Sequence, residues 1–107
     1  MSEHPEYLDE LVMHIDLIDE NMEEAKWIMK EGIYLRDDSV KQLPFCDIII
    51  GYEDYGVPAE LKHSKKQRGH ARQQIESGRQ YLESVGLDVP YGKFVLYPEF
   101  DYELIEF

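Results

Sequence analysis

Twelve residues separate Asp47 from the tripeptide Glu60-Leu61-Lys62, and a lysine- and arginine-rich stretch follows directly behind it. Two carboxylates and a lysine converging from adjacent strands make a site suited to cutting a phosphodiester. Carboxylate oxygens are hard ligands that suit Mg²⁺ or Mn²⁺, with water and a substrate phosphate completing the shell. A cation held there activates water and offsets charge on the scissile phosphate, while the lysine steadies the nucleophile or the phosphate. Glu-x-Lys alone is a weak pattern, since a surface hairpin carries the same pair as an ordinary charge contact. Its setting strengthens it: a strand with the Asp, a tight turn, a strand with Glu-x-Lys, then a basic helix. No His/Cys set stands at zinc spacing, so His63 and His70 read as surface or phosphate-side residues.

The elements that must position these residues are legible in outline. From Glu6 to Glu31 the apolar residues Leu8, Leu11, Ile15, Ile18, Met22, Ala25 and Met29 recur at spacings of three and four, which predicts helix. Pro5 suits the first turn and Gly32 a C-cap, while Asp16, Asp19 and Asn21 are weak helix formers that could split the segment. The stripe reads as a core face, with a dimer seam as the alternative. Ile33-Tyr34-Leu35 is a short strand candidate, and Phe45 to Gly51 is an isoleucine-rich buried strand. Glu53-Asp54-Tyr55-Gly56 predicts a hairpin turn, and Val57 to Lys62 the returning strand, whose Pro58 implies an edge position or the strand's first residues. Arg68 to Val85 is helical, with Ala71, Ile75, Gly78, Leu82 and Val85 on one face and Gly86 at the end. Phe94 to Tyr97 and Tyr102 to Phe107 follow as strands. Alternation along the returning strand points Glu60 and Lys62 the same way and Leu61 into the packing. The order predicts a single α/β domain over residues 1–107, with residues 1–31 helical and 33–107 holding the sheet and the basic helix.

Composition supports a globular chain, with 43% hydrophobic and 12% aromatic residues and one cysteine, Cys46, in an apolar run. A lone cysteine excludes an internal disulfide and fits a reducing compartment. The acidic N-terminus lacks the apolar stretch of a signal peptide, and no run is long enough to span a membrane, so a cytoplasmic location is expected. The net charge is −12, but it is unevenly spread. Between Leu61 and Gln80 six basic residues face one acidic residue, leaving five basic and 22 acidic elsewhere. Lys65, Lys66, Arg68 and Arg72 are candidate DNA phosphate contacts, with solvated charge as the plain alternative. Gln74 could orient Lys62 or a metal-bound water. The eight tyrosines read as packing and sheet-edge residues rather than base-stacking ones.

On Asp47, Glu60 and Lys62 the chain resembles the PD-(D/E)XK nuclease superfamily, in which the sheet's central hairpin carries all three. Within it the pattern is similar to archaeal Holliday junction resolvases and small resolvase-like nucleases. The likeness runs from about Asp19 to the C-terminus, through Lys30-Glu31-Gly32, the Asp47 strand, Glu60-Leu61-Lys62, a helix bearing Gln73, Gln74 and Tyr81, and the Phe94-Val95-Leu96-Tyr97 strand. Pro44 stands three residues before Asp47 rather than adjacent to it. The resemblance implies a restriction-endonuclease-like α/β core, with a central mixed β-sheet flanked by helices. It implies a Mg²⁺-dependent DNA endonuclease of structure-specific, junction-resolving type acting as a homodimer. It also implies that a first-helix glutamate joins Asp47 and Glu60 at the site, Glu20 fitting best and Glu24 second.

A different class of function also fits the charge. A non-catalytic interaction protein, either an inactive nuclease-like fold or an acidic DNA mimic, would use Asp9, Glu10, Asp16, Asp19, Glu20, Glu23 and Glu24 as its surface. It has no use for the Glu60/Lys62 pairing or the basic strip. A protein partner that supplies DNA binding is compatible with either reading.

Overall fold

The computed structural model describes residues 4–13, 24–30 and 46–107. Its elements are α1 (His4–Met13), β1 (Trp27–Lys30), β2 (Ile48–Gly51), β3 (Gly56–Lys62), a 3₁₀ turn (Lys65–Gln67), α2 (Arg68–Ser84), β4 (Tyr91–Leu96) and β5 (Asp101–Glu106). The five strands form one mixed sheet in the order β1-β2-β3-β4-β5. The first three make an antiparallel meander, β3 and β4 run parallel, and β5 returns antiparallel to β4. A parallel neighbour needs a crossover, and α2 supplies it. The chain is thus α/β with a mixed sheet flanked by helices.

Strand alternation sorts the core into two layers. Ile48, Ile50, Val57, Ala59, Leu61 and Val95 pack with Leu8 and Leu11 of α1 on one face. On the other, Cys46 and Ile49 join Leu82 of α2, while Phe94 and Ile105 join its Ala71 and Ile75. Full burial of each large apolar side chain contributes about 1.5–3 kcal/mol. Cys46 is the buried thiol that its apolar surroundings suggest. The helix α2 follows its expected span closely and ends before Gly86, whose φ of 87° is the left-handed conformation glycine adopts without strain.

Two expectations are corrected and one is narrowed. The helical reading of Glu6–Glu31 fails at its C-terminal end, because Trp27–Lys30 is a strand paired with Ile48–Gly51. Trp-Ile-Met suits a pleated surface as well as a helix, and pairing to an isoleucine strand outweighs local periodicity. Of the two positions that Pro58 implied, the edge is excluded, since β3 is the central strand, and the first residues of the strand hold, since Pro58 is third in β3. The proline is tolerated because parallel pairing to β4 begins one residue later, at Ala59. The fourth strand begins at Tyr91, ahead of the expected Phe94. The Gly32 cap and the Ile33-Tyr34-Leu35 strand lie outside the described residues. Among the described residues no helix is long and apolar enough to cross a membrane.

Candidate active site

The β2–β3 hairpin puts Asp47 opposite Glu60, one step beyond the last registered pair, Ile48 and Ala59. Side chains take over the ladder there. The Asp47 backbone N–H donates to Glu60 Oε1 at 2.8 Å, and the Leu61 backbone N–H donates to Asp47 Oδ2, also at 2.8 Å. Lys62 Nζ lies 3.3 Å from Glu60 Oε2. The three residues singled out from spacing are therefore brought together at one end of the hairpin.

Their burial differs in a way that matters. Asp47 and Glu60 are 3% and 1% exposed, while the Lys62 side chain is 18% exposed. Burial first, and the neighbouring Asp47 carboxylate second, push the Glu60 carboxyl up to about 9, with Lys62 opposing. Two carboxylates in one dry niche repel, so either a proton or a cation must sit between them. Burial likewise raises the Cys46 thiol, with Glu60 and Asp47 adding to the effect, and Cys46 Sγ donates to the Ile48 carbonyl at 3.3 Å.

The helix α2 covers this niche closely. A Cβ added at Gly78 would lie 2.6 Å from Cys46 Sγ and 2.8 Å from Pro58 Cβ, so only glycine lets helix and strand approach this far. Gly56 lies against Leu82 and Pro58 against Gly78. Two residues along β3 thus match four along α2, consistent with rises of about 3.3 Å and 1.5 Å per residue. Gln74 Oε1 is buried and has no hydrogen-bond partner. A buried acceptor left without a partner among the described residues marks a place for a water.

The Asp47 and Glu60 carboxylates are oxygen donors of the kind that suits Mg²⁺ or Mn²⁺, which are held by one or two carboxylates plus water and phosphate. Among the described residues no group of three or more His, Cys, Asp or Glu side chains is gathered for a metal. Glu20 lies outside the described residues. Glu24 is not at the site: it is exposed and lines a cleft with Tyr52, Glu53, Asp54 and Tyr55 at the hairpin's opposite tip. Gly51, at that tip, is four residues from Asp47, about 13 Å along the strand. Glu24 also does not share a helix with Trp27 and Ile28, which are in β1.

The basic stretch lies on the 3₁₀ turn and the first turns of α2, just past Lys62. Lys65, Lys66, Arg68 and Arg72 are all exposed. Arg68 Nε is 3.2 Å from Glu103 Oε1 of β5, whereas Lys65, Lys66 and Arg72 form no ion pair among the described residues. His63 and His70 are on the surface. One arrangement escaped the sequence reading: Tyr97, half-buried, has its ring 6.0 Å from that of exposed His63. No local pattern could reveal it, because it depends on β4 ending beside β3. Comparison with protein-family models, curated proteins and solved structures finds no match.

Proposed function

We propose that this protein is a metal-dependent DNA nuclease that hydrolyses phosphodiester bonds at Asp47, Glu60 and Lys62. The observation that carries this reading is the interlocked pair, in which two buried carboxylates bind each other's strands beside a lysine that reaches solvent. In this reading Asp47 and Glu60 would hold Mg²⁺ or Mn²⁺, which would supply Lewis acidity when bound. Gln74, on the helix that packs over β3, is a candidate for orienting Lys62 or a water. Lys62 stands at the boundary between the niche and solvent, where its ammonium meets a phosphate oxygen and offsets charge as water adds to phosphorus and the P–O bond breaks. Tight packing of α2 over the niche keeps bulk water from the carboxylates, which strengthens each of these interactions.

The resemblance to PD-(D/E)XK nucleases is supported by the placement of all three residues on the central hairpin of a mixed sheet. A junction-resolving member would work as a symmetric dimer, so that two strands are cut in a paired fashion. Cleavage of a labelled panel (four-way junction, flap, duplex, single strand) with Mg²⁺ or Mn²⁺ tests the reading. Cutting that vanishes in Asp47→Asn and Lys62→Ala is expected; undiminished cutting in either purified variant would rule out this site.

A second reading, the non-catalytic acidic interaction protein, draws on the net charge of −12. In it the carboxylate pair is a hairpin clasp only. Absence of both metal binding and cutting would favour it.

A further inference from the structure

The carboxyl ends of β3 and β4 meet just beyond the candidate site. The Tyr97 backbone N–H donates to the Lys62 carbonyl at 3.0 Å, which holds His63 beside the Tyr97 ring. Tyr97 in turn stacks on Tyr7 of α1, with ring centroids 4.7 Å apart. A braced aromatic pair with an exposed member therefore follows Lys62 directly. Lys65 and Lys66 on the 3₁₀ turn and Arg72 on the first turns of α2 come next in the chain, exposed and without ion pairs among the described residues. In a chain with 23 acidic residues, exposed cations that follow the candidate site so closely are suited to an anion from outside.

The next feature outward limits what that anion can be. A cleft of about 590 Å³ opens between Lys65 and the β4–β5 turn, lined by Phe94 and Leu96 and by the acids Glu99 and Asp101, with Glu103 beside them paired to Arg68. Phe94 and Leu96 are the register partners of Glu60 and Lys62, so this cleft adjoins the site across one strand spacing. One phosphate backbone can follow the Lys62–Arg72 cations. A second, as in a duplex with its charge every 1.7 Å or so of axis, would run against these acids.

We propose that the site takes a single, unpaired nucleic acid strand, with phosphates along Lys62, Lys65, Lys66 and Arg72 and a base stacked against His63 and Tyr97. The acids of the cleft fence off a complementary strand. This rests on the nuclease reading for what happens to the strand, but not for how the strand is bound. Stacking on aromatic rings and a cationic track are sequence-tolerant, so affinity depends on strandedness and salt rather than on base order.

The test is fluorescence anisotropy of the full chain with labelled oligothymidylate, and with a duplex of equal length, in chelator at low salt. The single strand is expected to bind about tenfold tighter than the duplex. His63→Ala, at an exposed position, is expected to weaken single-strand binding about tenfold, within the range for loss of one stacked base. The triple variant Lys65→Ala/Lys66→Ala/Arg72→Ala is expected to flatten the plot of log affinity against log salt by about 2, since each single-strand phosphate contact adds about 0.7. Equal or tighter duplex binding, no binding of either, or wild-type binding by both variants would overturn the inference. Metal-dependent cutting is measured separately. Cleavage of duplex without single-strand preference sinks only this inference, and strand binding without cleavage sinks only the nuclease reading.

Discussion

Glu60→Gln isolates the proton held in the carboxylate niche. In the folded protein Glu60 is pushed up to about 9 from an ordinary 4.5, by burial and by Asp47. The folded state therefore holds one more proton than the unfolded chain across the interval between those values. Stability contributed by this group is fully present below about 4.5 and is lost as pH rises toward 9. One proton corresponds to a slope of about 1.4 kcal/mol per pH unit, so the native protein should lose about 2–3 kcal/mol between pH 6 and 8. That is a large part of a total stability of about 5–15 kcal/mol. The glutamine amide keeps an oxygen for the Asp47 N–H and offers N–H groups to the Asp47 carboxylate, and it does not titrate. Urea unfolding followed by circular dichroism at pH 6, 7 and 8, in chelator, reads both proteins. The difference in stability should move toward the variant by about 1.4 kcal/mol with each unit. Parallel profiles would mean that Glu60 is ionised at neutral pH and that the niche holds no proton.

Other consequences are as direct. Gly78→Ala drives a methyl into Cys46 Sγ and Pro58 Cβ and should cost about 1–3 kcal/mol, read as a lower melting temperature. Ile75→Ala, at a fully buried position on the inner face of α2, should cost about 2–5 kcal/mol in the same assay. Arg68→Ala breaks a half-exposed pair with Glu103 and should change stability by no more than about 1 kcal/mol. Cys46, buried and with its thiol raised, should resist a thiol reagent at mildly alkaline pH and react at once in denaturant; rapid reaction of native protein would contradict the packing.

The site and its hairpin were legible because both depend on short-range rules. Alternation sends Glu60 and Lys62 to one face, and a tight turn folds Asp47 back beside them. The helix α2 was legible for similar reasons, carrying an apolar stripe and a terminating glycine. The switch from helix to strand before Trp27 was not, since Trp27-Ile28-Met29 continues the helical spacing and only its pairing with Ile48–Gly51 decides the outcome. That pairing is also why Glu24, sensible on an unbroken helix, falls at the wrong end of the hairpin. Pro58 alone could not decide between an edge and a strand start; it stands near the start of the central strand, and the parallel ladder begins just after it. The close approach of α2 to β3 comes from Gly78 against Cys46 and Pro58, which local pattern does not encode.

The central claim is that Asp47 and Glu60 form a cation site rather than a hairpin clasp. Calorimetric titration with Mn²⁺ at neutral pH, in buffers of different ionisation enthalpy, tests it most directly, because an ion entering the niche must displace the proton between the carboxylates. The account predicts binding to the native protein with release of about one proton, and weakened binding without that release in Glu60→Gln. No binding, or the same binding and proton count in both proteins, would contradict it.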